Sequence, residues 1–371
     1  MSKKEKGERR KKLVVIQEGG IGLAIVSTAA ITKLREKNPD AEITVVSPYT
    51  EVFYNNPRVD FIYAPVPPSY IYERHAREAD EVFILRPDRL YTRSLYRRKN
   101  EHMIRVMLAE MGLPWEHEKD LKPEMNFYEH EQTEAQMFLQ QFNKPTILIQ
   151  QTGSTAPMGA MRPSSVINDK SWDIQQANKL VAGFKHMFNF VQVRLPDEPM
   201  IMDAYQFQGP VTTRRIVALL PHVFTFVAID SFLQHASAIF HKSGIVLWGP
   251  THPANLGYDH NVNISRADAC PTKTIHCRRP ETHLFDFLPG SGQTMNQPLE
   301  PWRCPNRGCM KAISADDVAG KITIMLEGAK KKEERNAKNH TDKPKVPAGI
   351  RSCGNHGGAD SPVGDAPVDR V

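Results

Sequence analysis

Residue types suited to a phosphorylated ligand gather at the ends of apolar runs in this chain. Lys170, in Asp169-Lys170-Ser171-Trp172, offers an ammonium at the start of an expected helix. The run before it, Pro145–Gln150, reads as a strand, and Thr152, Gly153, Ser154 and Thr155 follow that strand with hydroxyls and a small residue. Asp230 and Ser231 follow the apolar run Phe224–Ile229, and His235 lies five residues beyond Asp230. Gly249, Pro250 and Thr251 close the next apolar run, Gly244–Trp248. A helix start presents unsatisfied backbone N–H groups and the positive end of the macrodipole, so with a lysine and hydroxyls it can meet phosphate charge. Nearer the N-terminus, Glu18, Gly19, Gly20 and Gly22 follow the run Leu13–Gln17. Glu18 is a carboxylate that could take a proton, and the glycines let a substrate approach the backbone closely.

Each of these residues has a plainer structural reading. Asp230 sits where a helix N-cap belongs, a role worth about 0.5–2 kcal/mol over alanine. His235 can pack within a core. Lys170 can be a solvated lysine at a helix start, and Glu18 a loop carboxylate.

The elements that must position them follow from the apolar periodicity. Leu13–Gln17, a glycine turn, a helix from Leu23 to about Lys37, and strands at Ile43–Val46 and Val59–Ala64 form a βαβ pattern. Parallel strands with right-handed crossovers are expected. Residues 65–135 depart from this alternation, with helical stretches near 92–111 and 130–142. A second unit opens at Pro145–Gln150. It continues through a helix from Ser171 to about His186 capped by Asp169, a strand at Phe190–Leu195, and a helix at Thr212–Leu220. The strand–helix–strand unit around Asp230 comes next, and a helix from about Ala315 to Ala329 closes it. The expected fold is α/β, with a basic tail (1–12), two Rossmann-like domains (13–144 and 145–329), and a disordered tail (330–371) poor in apolar residues.

A chain of 371 residues can hold two such cores. It contains no apolar run of about 20 residues, and its charged start leads straight into a strand, so a cytosolic protein without a membrane span or signal peptide is expected. The formal net charge is +6, with much of the excess in Lys3–Lys12 and Lys330–Lys338. Such runs are ordinarily solvated tails, although a basic end can touch the cytoplasmic membrane face. A nucleic-acid partner would rest on those ends alone and is not expected. Arg86, Arg89, Arg93, Arg97, Arg98 and Lys99 fall within fourteen residues. They read as a charged helix face or as a docking surface for an anionic molecule, since guanidinium groups grip oxyanions bidentately. Five cysteines are too few for a disulfide scaffold. The gaps between Cys270, Cys277, Cys304 and Cys309 are wider than the usual zinc pairs, so no metal site is expected.

Several motifs together resemble the heptosyltransferase-like glycosyltransferases, glycosyltransferase family 9, which transfer ADP-activated heptose to lipopolysaccharide. Asp230, Leu233, His235 and Gly249-Pro250-Thr251 match a pattern close to Asp-Thr-Gly-Leu-Ser-His followed by Gly-Pro-Thr, with Ser231 for Thr and Phe232 for Gly. Lys170-Ser171-Trp172 matches Lys-x-Trp. The order of a glycine turn, Asn38-Pro39-Asp40 and Asn56-Pro57-Arg58-Val59-Asp60 also fits, as does Cys304-Pro305 with Cys309-Met310. The resemblance spans roughly residues 13–325. It implies a GT-B architecture, two Rossmann-like domains facing a central cleft, with acceptor on the first and nucleotide-sugar on the second. It implies inverting transfer with no cofactor and no metal, from a nucleotide-diphospho-sugar, most simply an ADP-sugar, to a hydroxyl of an anionic glycan or lipid-linked acceptor.

Site roles follow from the same resemblance. Lys170 contacts the sugar nucleotide. Thr152, Gly153, Ser154, Thr155, Ser231, His235, Gly249, Pro250 and Thr251 line it, and Glu198 lies near the nucleoside. Asp230 would repel a diphosphate, so its ligand role is toward sugar hydroxyls or in fixing backbone N–H groups. The family's Gly-x-Leu-Gly-Asp places a catalytic aspartate where this chain has Leu23, in Gly19-Gly20-Ile21-Gly22-Leu23. Leu23 cannot take a proton, which leaves Glu18 as the nearest carboxylate. A catalytically weakened nucleotide-sugar or glycan-binding protein on the same scaffold is therefore the alternative.

Overall fold

The computed structural model describes residues 9–65, 68–97, 99–115, 122–153, 170–207, 212–249, 251–269 and 308–341. Expectations resting on Ser154, Thr155, Asp169, Pro250, Arg98, Cys270, Cys277 and Cys304 lie outside the described residues.

Two parallel sheets organise the fold. The first contains β1 (Lys12–Gln17), β2 (Glu42–Val46), β3 (Phe61–Tyr63) and β4 (Glu81–Leu85), in the order β3-β2-β1-β4. Its centre is rich in Val and Ile because parallel strands are covered on both faces. Leu13, Val15, Ile43 and Val45 are nearly inaccessible. The second sheet contains β5 (Thr146–Gln150), β6 (Asn189–Gln192), β7 (Tyr205–Gln206), β8 (Thr225–Ile229), β9 (Ile245–Trp248) and β10 (Val262–Ser265). Its order is β10-β9-β8-β5-β6-β7, and every pairing is parallel. In each sheet the chain starts at an inner strand, moves outward, and returns on the other side. The reversals fall between β1 and β4 and between β5 and β8. Open parallel sheets bind ligands at such reversals, beyond the carboxyl ends of the strands.

The helices, in chain order, are α1 (Ile21–Lys37), α2 (Pro68–Ile71), α3 (Pro87–Thr92), α4 (Ser94–Arg97), α5 (Met103–Glu110) and α6 (Glu129–Gln140). They continue with α7 (Ile174–Phe184), α8 (Thr213–Leu219), α9 (Phe232–Ile239), α10 (Pro253–Leu256), α11 (Gly308–Lys311) and α12 (Ala315–Thr341). The expected helix at 92–111 is three pieces, broken at Arg93 and before His102. The helix expected from Ser171 begins at Ile174 instead, because Asp173 caps it by accepting from the Gln175 N–H at 2.7 Å. The last helix runs past residue 329 to Thr341, so residues 330–341 are helical rather than part of a disordered tail.

Among the described residues no strand crosses between the sheets: β1–β4 precede residue 86 and β5–β10 follow residue 145. Both sheets nevertheless belong to one compact unit, residues 1–322, and residues 323–371 form the other. Within the first unit, Arg214 of α8 is a main tie between the halves. It is 5% exposed and forks onto Glu131 with both Nε and Nη2 at 2.5 Å. It also donates to the backbone oxygens of Glu51 at 2.9 Å and Asn126 at 2.6 Å, and lies over the Phe127 ring at 5.0 Å. The bidentate fork and the planar stack suit guanidinium and not ammonium. Asn255 of α10 donates to the Glu101 carbonyl at 3.1 Å, and the Phe127 and Phe240 rings stack at 5.9 Å.

Residues 9–12 of the expected basic tail are pinned by acids. Arg9 pairs with Asp80 at 2.7 Å, Arg10 with Asp60, Lys11 with Glu81, and Lys12 with Glu78 at 2.8 Å. Among the described residues, no helix is long and apolar enough to cross a membrane.

Candidate functional site

The second sheet's reversal builds the more complete constellation. β5 and β8 are buried at every position, which fixes the residues that leave their carboxyl ends. Gln150, the last residue of β5, donates to Ser231 Oγ at 3.0 Å, bridging the two strands at the crevice. Trp172 holds residues 170–173 against β5. Its N–H donates to the Gln151 carbonyl at 2.9 Å, its own carbonyl accepts from Gln151 Nε2 at 2.6 Å, and its indole donates to Ile313 O at 2.9 Å. Lys170, two residues before this anchor, reaches Asp230 Oδ2 at 2.6 Å.

That ion pair corrects the N-cap reading of Asp230. The N-cap of α9 is Ser231, with no side-chain cap bond, and the Asp230 carboxylate turns to Lys170. The Asp230 side chain is 2% exposed and that of Lys170 25%. Burial works to raise the Asp230 carboxyl. The Lys170 ammonium and hydrogen bonds from Lys170 and Thr251 outweigh it, and the group lies below the usual carboxylate range. Thr251, which follows β9, is buried at this place. Gly153 is equally confined: a Cβ there would come within 2.9 Å of Ile229 Cδ1 and 3.9 Å of Ser231 Oγ. Thr152 Oγ1 and Ser171 Oγ are buried without a hydrogen-bond partner among the described residues. Polar atoms in that condition are ordinarily satisfied by water or a ligand.

His235 lies one turn into α9 and is buried among Gly22, Gln234 and Tyr258. Its Nδ1 is 3.2 Å from the Tyr258 hydroxyl, and its ring would stand 3.0 Å from a Cβ on Gly22. Burial pushes this imidazole down to about 4, against the pull of Asp230. The helices that follow β1 and β8 thus meet at Gly22 and His235. Glu198, after β6, accepts from the Leu195 N–H at 2.8 Å and so closes its own turn.

The first sheet's reversal carries Glu18, Gly19 and Gly20 on one strand end and Arg86 on the other. The Glu18 N–H donates to Leu85 O at 3.1 Å, and Arg86 Nε lies 3.5 Å from Glu18 Oε2. Gly19 has φ +99, and a Cβ there would lie 2.7 Å from Pro87 Cγ, so both conformation and space require glycine. Gly20 is the N-cap of α1, with open space beside it. Leu23 is 7% exposed and packs against Gly19.

Tyr91 is a participant the sequence reading does not single out. It belongs to α3 in the first half, and burial together with the Asp230 carboxylate pushes its phenol above the usual range. α3 therefore approaches the Lys170–Asp230 pair. Its signal was the Arg86-Pro87-Asp88 helix start after the apolar residues 82–85. Among the described residues, no group of three His, Cys, Asp or Glu side chains could hold a metal ion, and Cys309 is half-buried on α11.

No protein-family model and no curated protein matches the sequence. Solved structures do resemble the fold. A glycosyl transferase family 9 protein from Veillonella parvula is 18% identical, with a TM-score of 0.60, covering 86% of this chain and 99% of that one. The ADP-heptose lps heptosyltransferase II of E. coli is 14% identical, with a TM-score of 0.51 over 74% of this chain and 99% of that one. The dodecameric iron-containing glycosyltransferase TibC from enterotoxigenic E. coli is 13% identical, with a TM-score of 0.58 over 86% of this chain and 77% of that one. The two-sheet α/β architecture is that of these glycosyltransferases.

Proposed function

We propose that this chain is an inverting, metal-independent glycosyltransferase that moves a sugar from a nucleotide-diphospho-sugar to a hydroxyl of an anionic glycan or lipopolysaccharide-like acceptor. The observation that carries this reading is the Lys170–Asp230 pair at the β5–β8 reversal, on a fold shared with heptosyltransferases. TibC is described in complex with ADP-D-β-D-heptose, which makes an ADP-sugar, with heptose as the sugar, the first donor to test.

In this reading the acceptor oxygen attacks the anomeric carbon as the bond to the diphosphate oxygen breaks. The bonding pair leaves with the diphosphate, and the configuration inverts. Lys170 and the backbone N–H groups at the start of α9 meet the charge that develops there. Asp230 holds Lys170 in place. Glu18 takes the acceptor's proton, with Arg86 beside it. Gly153, Ser231, His235, Gly249 and Thr251 complete the donor side. The basic chain ends suit contact with an anionic membrane face.

The buried Leu23, which offers only carbon, favours one second reading: a nucleotide-sugar or glycan-binding protein that does not turn its ligand over. Incubation with ADP-, UDP- and GDP-sugars and assay of released nucleotide separates the two. Release that falls about 10²–10⁴-fold in Glu18→Ala supports the transferase, the range expected for a lost general base. Tight binding without release, unchanged in Glu18→Ala, supports the binder. Neither binding nor release rejects both.

A further inference from the structure

The start of α9 departs from the local rule for a helix that begins with serine. A serine at the N-cap ordinarily accepts from the backbone N–H of the second or third helical residue. Ser231 holds that position with the extended backbone it requires, φ −152 and ψ −174, yet its side chain makes no cap bond. Two other helices of the same half are capped: Asp173 accepts from the Gln175 N–H at 2.7 Å, and Thr212 from the Arg215 N–H at 3.2 Å. Ser231 Oγ instead accepts from Gln150 Nε2 at 3.0 Å. The neighbouring Asp230 carboxylate is engaged by Lys170 and Thr251.

Gln150 ends β5 and is 6% exposed, so burial on a central strand fixes its amide. Its Oε1, on the same amide as the bonded nitrogen, is buried with no hydrogen-bond partner among the described residues. Thr152 Oγ1, two residues on, is in the same condition. A buried amide oxygen without a donor calls for water or a ligand hydroxyl. Gly153 keeps the place beside the serine narrow and free of a side chain, since a Cβ there would lie 3.9 Å from Ser231 Oγ.

A serine hydroxyl has one donor and two acceptor sites. With one acceptor site taken by Gln150, the O–H is left to donate elsewhere. The N–H groups of Phe232, Leu233 and Gln234, in the first turn of α9, have no intrahelical partner and no side-chain cap. Next to Lys170, these donors suit diphosphate oxygens. The Gln150 carbonyl suits a hydroxyl, and a nucleotide-diphospho-sugar carries both groups. We infer that Gln150 is a positioning residue: by holding the Ser231 hydroxyl off the cap of α9, it keeps that hydroxyl and the first-turn N–H groups open to the donor's diphosphate. The identity of this diphosphate rests on the transferase reading.

The test is calorimetric binding of ADP and of inorganic pyrophosphate to the full chain, in a double-mutant cycle of Gln150→Met and Ser231→Ala. In Gln150→Met the serine should return to the cap, and affinity for both ligands should fall about tenfold, as for the loss of a hydrogen bond to a charged group. The ligand-free melting temperature should not fall with it, because the cap replaces the lost bond. Ser231→Ala leaves the helix start open and should cost less affinity. The double variant should bind as Ser231→Ala does. Hydrogen exchange at the Leu233 and Gln234 amides of the ligand-free protein should slow in Gln150→Met and recover in the double variant, whereas loss of a glutamine that only braces the strands would speed it. Gln150→Leu gives the same comparison should Gln150→Met fail to fold. Affinity unchanged in Gln150→Met, or reduced equally with and without the Ser231 hydroxyl, overturns the role. ADP binding that is lost in Lys170→Ala yet indifferent to Gln150 also overturns it and leaves the transferase reading standing. Pyrophosphate binding that follows the cycle, in a protein that binds neither ADP nor ADP-sugars, keeps the role and removes that reading. Binding of neither ligand overturns both.

Discussion

The Lys170 ammonium lies 2.6 Å from Asp230 Oδ2, joining the segment before α7 to the carboxyl end of β8 across the sheet's reversal. With Asp230 2% exposed, this pair is structural. Lys170→Met strands a buried carboxylate and is expected to cost about 3 kcal/mol, the low end for a broken buried pair because Lys170 is partly solvated. Lys170→Met/Asp230→Asn should recover much of that loss. Urea denaturation of both variants checks this, and equal losses would show that the pair contributes nothing.

Acid should weaken the joint between the halves before it affects Asp230. Burial lowers His102 to about 3 and His235 to about 4. Their rings share Tyr258, each feels the other or the nearby Asp230 and Lys170 charges, and Arg105 adds to the lowering of His102. His102 Nδ1 also accepts from the Ile104 N–H, which requires the neutral ring. Unfolded histidine titrates near pH 6.5, so below that pH the unfolded chain binds more protons and stability falls. The slope reaches about 1.4 kcal/mol per pH unit for each histidine, down to about pH 4 for His235 and about pH 3 for His102. The Asp230 contribution has the carboxylate sign: it is present above about pH 4 and lost as pH falls through the depressed folded value. Denaturation curves from pH 7 to 4 that do not move would contradict this. Removing one titrating ring, in His235→Gln, should make the dependence shallower.

Gly19→Ala should destabilise by about 1–3 kcal/mol, because it adds a clash with Pro87 to a strained positive φ. Gly20→Ala, with open space at its Cβ and extended backbone, should cost less than half as much. Similar melting temperatures for the two would remove the argument for the turn.

Arg214→Met should cost about 3–5 kcal/mol, since Glu131 and three backbone carbonyls lose their donor. Hydrogen exchange should rise at 50–54 and 126–131 together. A rise confined to α8 would mean that Arg214 does not tie the halves.

The inner strands were legible because apolar runs such as Ile147–Ile149 and Val227–Ile229 end at glycine, proline or polar residues. β4 escaped notice because its apolar stretch, 82–85, is only four residues long and lies in a segment rich in proline, arginine, tyrosine and glutamate, and β7 is only two residues long. The glycine turn, Lys170 and the segment 230–251 stood out as candidates through their residue types and the family resemblance. Their partners did not. Asp230 looks like an N-cap because capping is a local rule, whereas Lys170 lies 60 residues away. Arg214 and Glu131 are 83 residues apart, and nothing in the spacing of either announces the fork. Long-range pairing of single charges leaves no periodic trace, which is why the shape of the site was readable before its electrostatics.

The most direct measurement is titration of the wild-type protein and Lys170→Ala with ADP, followed by thermal or chemical denaturation. At about 100 times its Kd a ligand stabilises the folded state by about 2.7 kcal/mol. The wild type should show a stabilisation of that order and Lys170→Ala almost none, after correction for the variant's own lower stability. An ADP-dependent stabilisation that survives intact in Lys170→Ala would contradict the assignment of the diphosphate to the β5–β8 crevice.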